Sequence, residues 1–487
     1  MTLRELLYNV GPYTVQGSLE TEVSGVAFDS RKVGLGSLFV AVRGTQVDGH
    51  AYMAAAVDRG AAAIVCETLP EAPAQGVAYV LVAQARAALA HIAANWYGRP
   101  ADRLLVVGIT GTNGKTTCAT LLYRLCTQMG IRAGLVSTIE YRIGTEVMPS
   151  SHTTPDPLQL HALFAQMLEA GCVYCFMEVS SHALVQDRVL GVPFHVAAFT
   201  NITRDHLDYH GTFAEYIRAK RLLFDHLPAT ATAIVNADDR NGRVMVQNTA
   251  ASVQTFALKH MADYRAQVLT NSVEGLHLRI DGQEVWFRLR GSFNAYNLLT
   301  VYAVARALEL DVMEVLHVLS GLEGADGRFE VLRDAGGRTA VVDYAHTPDA
   351  LLNVLTTIED VTRDQGRIIA VVGCGGNRDR GKRPEMGRIA AEHADQVIFT
   401  SDNPRDEDPE TIIGEMYAGV PETYRSRVLR ITDRREAIYT ACALARARDV
   451  ILVAGKGHET YQEIRGVRYP FDDRDVLRER FGSDATG

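Results

Sequence analysis

LLVVGITGTNGKTT, residues 104–117, is the stretch that decides the fold prediction. Its first seven residues are a β-rich apolar run, a glycine-rich loop follows, and a helix is predicted over 117–129. Strand, loop and helix in this order are the context of a phosphate-binding loop. Backbone N–H groups at the start of the helix would cradle a triphosphate. We expect Lys115 to reach its β- and γ-phosphates and the Thr116 hydroxyl to bind Mg²⁺.

One position departs from the strict phosphate-loop pattern. The pattern requires glycine at position 109, where this chain has Ile109, and Gly108 lies one residue too early. The alternative is a glycine-rich turn with a chance lysine, but the strand, the loop, the Gly-Lys-Thr triplet and the helix all agree with a nucleotide site. The residues predicted to contact ATP here are Gly111, Thr112, Asn113, Gly114, Lys115, Thr116 and Thr117.

β-Strands and helices alternate along the chain on both sides of this loop. Residues 97–100 and 324–328, which are rich in glycine, proline or polar turn residues, interrupt the alternation. Alternating strands and helices predict parallel sheets covered by helices. A chain of 487 residues, at about 150 per domain, predicts three domains. We place these α/β domains at residues 1–98, 99–328 and 329–487.

Composition and charge limit the function classes. The net charge of −9 argues against a broad nucleic-acid-binding face. No apolar run approaches the ~20 residues that span a bilayer, and the N-terminus lacks the long apolar region of a signal peptide. We therefore predict a cytoplasmic protein with no membrane insertion and no nucleic-acid partner.

Two segments of the middle section contain candidate metal ligands. Glu178 ends a predicted strand, where a carboxylate is well placed to bind a hard cation. The loop 201–211 follows another strand and is dense in Asp and His, and the residues alone leave open whether one of its histidines is a ligand. Lys220 lies in a predicted helix, where the residues alone favour an exposed basic patch.

SDNPRDEDP, residues 401–409, follows the predicted strand 396–400. Asn403-Pro404 favours a turn, but Arg405 comes where α/β domains bind ligands. The residues alone leave open whether Arg405 is part of a solvated turn or contacts a charged ligand. The acidic residues 406–408 are interpreted as a solvated edge.

Eight motifs occur in the order found in the Mur ligases, which the chain resembles. They are GTNGKTT (111–117), MEVSSH (177–182), NITRDHLDYHG (201–211), AKRLLF (219–224), NADD (236–239), GSFNAYN (291–297), DYAHTPD (343–349) and GKGHETYQ (455–462). Mur ligases are ATP-dependent amide ligases that build the peptidoglycan stem peptide. The matches run from about residue 28 to 465 and resemble the branch that acts on UDP-N-acetylmuramoyl-L-alanyl-D-glutamate. Isoleucine at position 109 is usual in that family.

The resemblance implies a fold and roles for individual residues. The implied fold has an N-terminal uridine-nucleotide domain, a central P-loop ATPase-like domain with a parallel sheet, and a C-terminal Rossmann-like domain. The implied catalytic residues are Lys115, Glu178, His206 and Lys220. Mg²⁺ would be held by Thr116, Glu178 and His206, with Lys220 carbamylated to N6-carboxylysine. Asn294 and Asn297 would lie near adenine, and Arg328 and Asp343 near the ribose and phosphates of ATP.

The resemblance also implies the binding sites of the other two substrates. Residues implied for the uridine nucleotide are Phe28, Ser30, Thr45, Gln46 and Val47, and Phe28 stands where this branch often has leucine. Residues implied for the muramoyl dipeptide are Thr153, Thr154, Ser180, Gln186 and Arg188. Residues implied for meso-2,6-diaminopimelate are Arg378, Asp402, Asn403, Pro404, Arg405, Gly455 and Glu459. The Asp-Asn-Pro-Arg motif resembles the one that distinguishes diaminopimelate-adding from lysine-adding ligases.

The implied activity is ATP-dependent addition of meso-2,6-diaminopimelate to the D-glutamate γ-carboxylate through an acyl phosphate, by a monomeric enzyme. Three alternatives remain at this stage. One is a lysine-adding ligase of the same branch, and another is a ligase like folylpolyglutamate synthase. The third is a P-loop regulatory switch without ligase chemistry.

Overall fold

The computed structural model describes residues 1–44, 47–272, 274–362 and 366–482 and contains three α/β units, each built on its own sheet. Thr45 and Gln46, predicted to contact the uridine nucleotide, lie outside the described residues. The three-domain α/β architecture is confirmed, while the boundaries after residues 98 and 328 stay a prediction.

The N-terminal sheet has five strands in the order β1-β5-β4-β3-β2, and only β1 is antiparallel to its neighbour. Its strands are β1 Tyr13–Gln16, β2 Gly25–Ala27, β3 Ser37–Val40, β4 Ala63–Cys66 and β5 Ala78–Val82. Its helices are α1 Leu3–Leu6, α2 Met53–Asp58 and α3 Ala85–Trp96.

The central sheet has eleven strands in the order β16-β15-β14-β13-β12-β11-β6-β10-β7-β8-β9. The strands are β6 Leu105–Thr110, β7 Ala133–Val136, β8 Glu140–Ile143, β9 Glu146–Pro149, β10 Tyr174–Glu178, β11 Phe194–Phe199, β12 Thr232–Asn236, β13 Ser252–Ala257, β14 Tyr264–Asn271, β15 Leu276–Ile280 and β16 Gln283–Phe287. The seven strands from β14 to β7 in this order are parallel, as the alternation predicted.

Helices cover both faces of the central sheet. As a result, strand β6 buries side chains on both of its sides. Val107 and Ile109 pack in one apolar cluster and Val106 in the other. The helices are α4 Lys115–Gln128, α5 Pro157–Glu169, α6 Ser181–Val185, α7 Leu207–His210, α8 Phe213–Asp225, α9 Gly242–Met245, α10 Ser292–Ala307 and α11 Val312–Gly321. Helix α4 begins two residues before the predicted start at Thr117.

The C-terminal sheet has six strands in the order β17-β18-β22-β19-β20-β21, all parallel except β17. These strands are β17 Glu330–Arg333, β18 Thr339–Asp343, β19 Ile368–Val372, β20 Gln396–Phe399, β21 Val428–Arg430 and β22 Val450–Ala454, followed by a separate hairpin of β23 Tyr461–Ile464 and β24 Val467–Pro470. The helices are α12 Pro348–Thr362, α13 Lys382–His393, α14 Pro409–Ala418, α15 Arg434–Leu444 and α16 Asp473–Phe481.

The sheet topology gathers the predicted site residues. Parallel strands end at a common edge, and open α/β sheets bind ligands outside that edge. The ends of β6 and β10 carry the phosphate loop and Glu178, and the loop after β20 carries Arg405. Among the residues that the structure describes, no helix is both long and apolar enough to cross a membrane.

Candidate active site at the domain junctions

The phosphate loop is held in shape by two glycines and by the end of β11. Gly111 has a φ of 150° and Gly114 a φ of 87°, and a Cβ atom on either would run into the Thr200 or the Asn297 side chain respectively. The Thr200 hydroxyl donates to the Asn113 carbonyl at 2.6 Å. A loop fixed in this way aims the first N–H groups of α4 at an anion.

Two lysines meet at this loop, Lys115 partly buried and Lys220 fully buried. Lys115 Nζ donates to the Gly111 and Thr112 carbonyls at 2.9 Å each. Lys220 Nζ donates to the same Gly111 carbonyl at 2.7 Å. Burial lowers the pKa of both amines, and the charge of Lys115 lowers that of Lys220 further. Two cations on one carbonyl repel each other, so this pocket favours a neutral or modified Lys220.

The interpretation of Lys220 as part of an exposed basic patch is wrong, because its side chain is 1% exposed. Helix α8 buries Tyr216, Ala219, Leu223 and Phe224 together with Lys220. A lysine four residues after Tyr216 and three before Leu223 lies on the apolar stripe of a helix. That spacing is the signal in the sequence that could have predicted its burial.

The predicted metal ligands include a buried carboxylate that lies near the charge of Lys115. Glu178 is fully buried, and its two oxygens accept from the Thr138 N–H at 2.7 Å and the Thr138 hydroxyl at 3.2 Å. Within the described part of the chain Glu178 forms no salt bridge. A buried carboxylate needs a cation or a proton, and together with the Thr116 hydroxyl it offers the oxygen ligands that Mg²⁺ prefers.

His206 lies in a cluster of aromatic and imidazole rings. It has a φ of 54°, and its Nε2 is 3.3 Å from Asp205 Oδ2. Its ring centroid lies 4.8 Å from that of His182, a histidine that sequence reasoning did not single out. Burial lowers the pKa of His206 to about 3 and that of His182 to about 4, so both rings are neutral and able to bind a metal.

Not all of the residues predicted to hold Mg²⁺ have side chains that can bind a metal ion without modification. No three His, Cys, Asp or Glu side chains converge into a metal-binding group anywhere in residues 1–44, 47–272, 274–362 and 366–482. Glu178 and His206 could supply two ligands, and Thr116 could supply a hydroxyl. An unmodified Lys220 amine does not fit the set, whereas a carboxylated one would add the missing anionic oxygen.

The nucleotide residues predicted on α10 and after it surround the phosphate loop. Asn297 donates to Asn294 Oδ1 at 2.9 Å, and Asn294 donates to the Arg290 carbonyl at 2.7 Å. The Arg328 guanidinium donates to the Thr116 hydroxyl at 3.1 Å. Asp343 accepts from a backbone N–H at 2.7 Å, and burial raises its pKa to about 6.

A contact between the central and C-terminal units also involves the phosphate loop. Asn113 Nδ2 donates to Asp349 Oδ2 at 2.9 Å, and Asp349 lies in the first turn of α12. Asp349 is the last residue of the DYAHTPD motif, and no role was predicted for it. The contact brings the end of β18 and the start of α12 to the nucleotide side of the central sheet.

A cavity of about 680 Å³ lies between the N-terminal sheet and the central unit. Among the predicted substrate residues, those that line it are Phe28, Ser30, Val47, Gln186 and Arg188. Arg188 donates to the Thr154 carbonyl at 2.7 Å, and the Thr154 and Ser180 hydroxyls are 3.5 Å apart. The Thr153 and Thr138 hydroxyls lie 3.0 Å apart, so Thr153 connects the cavity side with Glu178. The side chains of Arg31, Arg86 and His152, which were not predicted, also line the cavity.

Arg405 lies in the loop after β20 with an unusual backbone conformation. Its φ is 53°, and its N–H and carbonyl pair with Glu463 and Arg465 of the β23–β24 hairpin at 3.1 and 2.8 Å. Its Nη1 donates to the Gly376 carbonyl at 2.9 Å, and its Nε is 3.6 Å from the Glu463 carboxylate. Arg378 is exposed but lies close to Arg405, since a Cβ atom on Gly375 would lie 3.0 Å from Arg405 Nη1 and 3.7 Å from Arg378 Cγ.

The remaining predicted diaminopimelate residues surround a buried lysine. Asn403 donates to Glu459 Oε2 at 2.7 Å. Lys456, which was not predicted, donates to Asn403 Oδ1 at 2.9 Å and lies 3.6 Å from Asp402. Burial raises the pKa of the Glu459 carboxyl. The remaining two predicted residues, Pro404 and Gly455, are buried at the same place.

The interpretation of residues 406–408 as a solvated edge is wrong for one of them. Asp406 and Asp408 are exposed, but Glu407 is not. The Glu407 carboxylate accepts two hydrogen bonds at 2.8 Å from Arg383, whose side chain is fully buried. Arg383 also donates to the Gly375 carbonyl at 3.2 Å, so Glu407 connects the Arg405 loop to the loop that carries Arg378.

Comparison with known proteins gives a consistent result along the chain. Sequence models described as "Mur ligase family, catalytic domain", "Mur ligase middle domain" and "Mur ligase, glutamate ligase domain" match residues 22–97, 109–305 and 327–457. UDP-N-acetylmuramoyl-L-alanyl-D-glutamate–2,6-diaminopimelate ligase of Cytophaga hutchinsonii is 52% identical over 480 residues, which are 98% of this chain and 99% of that protein. The protein with this name from Parabacteroides distasonis is 52% identical over 483 residues and 99% of both chains.

A solved structure with the same enzyme name has a TM-score of 0.69 and 34% sequence identity to this chain. The match covers 99% of this chain and 98% of the other. The likeness therefore extends over all three units.

Proposed function

The chain belongs to the Mur ligase family, a family of ATP-dependent ligases, and we propose that it joins meso-2,6-diaminopimelate to the D-glutamate of UDP-N-acetylmuramoyl-L-alanyl-D-glutamate. The main support is the pair of loops after β19 and β20, which carry Arg378 and Arg405. A Cβ atom on Gly375 would lie within 4 Å of both arginine side chains, and Asn403, in the loop of Arg405, donates to Glu459. Two guanidiniums and one carboxylate complement the zwitterionic end of diaminopimelate, since guanidinium binds carboxylate in a planar fork.

Selectivity against lysine follows from the same groups. Lysine lacks the distal carboxylate, so its binding would leave the two neighbouring guanidiniums without the ligand anion that we propose they bind. A site built for a polar group rejects the analogue that lacks it by ~10⁴-fold or more. We therefore expect diaminopimelate to be strongly preferred.

The proposed reaction begins with the transfer of a phosphoryl group. The γ-phosphoryl group of ATP would pass to the D-glutamate γ-carboxylate, giving an acyl phosphate and ADP. Lys115 and the N-terminus of α4 would hold the phosphates, and Arg328, at the junction with the C-terminal unit, would approach them. The amine of diaminopimelate would then attack the acyl carbon, and the tetrahedral intermediate would expel phosphate. Positioning and electrostatic stabilisation supply the rate, and no covalent protein intermediate is needed.

We also propose that Mg²⁺ binds as the counter-ion of the phosphates. Thr116, Glu178 and His206 would hold it, and when bound it would offset the repulsion between the phosphates and the attacking carboxylate. Lys220 would contribute after its neutral amine adds to CO₂ and releases a proton, which converts the amine to a carbamate anion. The support is geometric, because Lys220 and Lys115 donate to the same Gly111 carbonyl, where two cations would repel each other.

The cavity beside the N-terminal sheet is the proposed site of the UDP-muramoyl dipeptide. Its volume of about 680 Å³ is in the range of small-molecule sites. Arg31 and Arg86 would suit a diphosphate, and Arg188 would suit a carboxylate of the dipeptide. We further propose that the enzyme acts as a monomer in the cytoplasm.

Phosphate release tests this proposal against the alternatives. We expect release to require ATP, UDP-muramoyl dipeptide and meso-2,6-diaminopimelate together, with lysine giving little. Release that needs tetrahydrofolate and glutamate would support a folate ligase, and release independent of any amino acid would support a switch protein.

A further inference from the structure

A buried lysine lies beneath the amino-acid loop. Lys456 is fully buried and comes two residues after the end of β22. Its ammonium group is surrounded by oxygens of the protein, so we assign it no direct contact with a substrate. We propose that Lys456 is a positioning residue that orients Asn403 and Glu459 and so sets the preference for an amino acid with a distal carboxylate. This inference rests on the proposed function.

The backbone on both sides of Lys456 is closely packed. Gly455 has a φ of 114° and Gly457 a φ of 54°. A Cβ atom on Gly455 would run into the Asp402 carboxylate, and one on Gly457 would lie 2.6 Å from the Gly327 carbonyl. The lysine is thus held directly below the 401–405 loop, where its ammonium can contact several loop residues at once.

The ammonium group uses all three of its donors inside the protein. Lys456 Nζ donates to the Tyr461 carbonyl at 2.6 Å and to Asn403 Oδ1 at 2.9 Å. The third direction is shared by two carboxylates, with Glu459 Oε2 at 3.5 Å and Asp402 Oδ1 at 3.6 Å. One cation therefore contacts three of the residues proposed to bind diaminopimelate.

These contacts determine which way the Asn403 amide points. Its Oδ1 accepts from Lys456 Nζ and from the Glu463 N–H at 2.8 Å, and its Nδ2 donates to Glu459 at 2.7 Å. An ammonium and a backbone N–H can only donate, so the reversed amide would place N–H groups against N–H groups. One Nδ2 hydrogen remains, and it can bind only an acceptor such as a ligand carboxylate.

The charge of Lys456 also offsets the charges of two carboxylates, Asp402 and Glu459, at the place proposed for the distal ammonium of diaminopimelate. Asp402 and Glu459 are both largely buried, with side chains 8% and 15% exposed. Without Lys456 the two carboxylates would lie together with no cation between them and would repel each other. Glu459 would then lose the position from which it binds the distal ammonium.

Lys456→Met tests the proposal, because methionine keeps much of the side-chain length and removes the charge. Loss of charged hydrogen bonds predicts that KM for meso-2,6-diaminopimelate rises by about 10- to 100-fold. The preference for diaminopimelate over lysine should fall with it, while KM for ATP and for UDP-muramoyl dipeptide stays within about twofold. A general structural role would instead change all three KM values and kcat together, and that result would overturn the proposal.

A double-mutant cycle shows whether Lys456 acts through Asn403. In an Asn403→Ala background the effect of Lys456→Met on the diaminopimelate KM should shrink to less than about a third, because contacting residues are not additive. Full additivity would contradict the orientation of Asn403 by Lys456. Should Lys456→Met not fold, Asn403→Asp retains the lysine and removes the amide donor, so an unchanged KM in that variant would overturn the same claim.

Arg367→Met is the matched control. Arg367 pairs at 2.7 Å with Asp449, whose side chain is 5% exposed, at the opposite edge of the same sheet. The KM values of the Arg367→Met variant should equal those of the wild type. A wild-type enzyme that does not use diaminopimelate would overturn the proposed function and this inference together, whereas diaminopimelate activity with an unchanged KM in Lys456→Met would overturn this inference alone.

Discussion

Replacing Arg405 with alanine should weaken diaminopimelate binding without affecting the nucleotide. The Arg405 side chain is 20% exposed, and one Nη1 hydrogen is committed to the Gly376 carbonyl. Its Nη2 group remains for the distal carboxylate. Each charged hydrogen bond contributes about 1.5–3 kcal/mol, so the loss of one or two predicts about 1.5–6 kcal/mol, or a KM at least about tenfold higher.

Alanine isolates this effect because the backbone is affected little. Arg405 has a φ of 53°, and alanine retains the Cβ atom that makes this conformation unfavourable. The Glu463 carboxylate, 3.6 Å from Arg405 Nε, would lose its partner and repel the ligand carboxylate, which raises KM further. Lysine as the substrate should be affected far less.

Steady-state kinetics with each substrate varied in turn is the assay. Arg468→Ala is the control, because Arg468 is exposed on the same hairpin and stacks on Tyr461 at 4.3 Å. Its KM values should match the wild type. A diaminopimelate KM in Arg405→Ala within about threefold of the wild type, the scale of an ordinary surface substitution, would refute the assignment of Arg405.

Two further predictions concern buried ionisable groups. Lys220→Ala should lose most of its activity, and a small carboxylate such as acetate should partly restore it. Arg221→Ala on the same helix should stay active, and full activity of Lys220→Ala without any additive would rule out a carbamate. Burial raises the pKa of Asp343 to about 6, so the folded chain binds more protons than the unfolded chain between about pH 4 and 6, and the free energy of unfolding falls as pH rises through that window. Asp343→Asn should remove about 3 kcal/mol of that fall, measured by chemical denaturation at both ends of the window, and an identical pH dependence in the variant would contradict the raised pKa.

Local patterns predicted the fold and the phosphate loop well. β6 and the following loop are specified by residues next to each other in sequence. The alternation of strands and helices predicted the parallel sheets, because it too is visible in residues that are neighbours in sequence. Helix α4 begins at Lys115 and not at Thr117, because Gly114 adopts a left-handed conformation that ends the loop immediately before the helix.

Contacts between residues far apart in the chain could not be predicted from the sequence. Glu407 looked solvated because its partner Arg383 is 24 residues away, and nothing in the spacing connects them. Lys456 was quoted within a motif, but its burial depends on contacts with a loop 53 residues earlier. The roles of Arg405 and of the metal residues came from the family resemblance and not from their spacing.

The identity of the amino acid that is added tests the central claim most directly. UDP-N-acetylmuramoyl-L-alanyl-D-glutamate, ATP and Mg²⁺ would be incubated with equal concentrations of meso-2,6-diaminopimelate and L-lysine, and the product mass measured. The account predicts a UDP-muramoyl tripeptide that carries diaminopimelate, with lysine product below about one part in a thousand. Comparable amounts of the two products, or a lysine product alone, would contradict it.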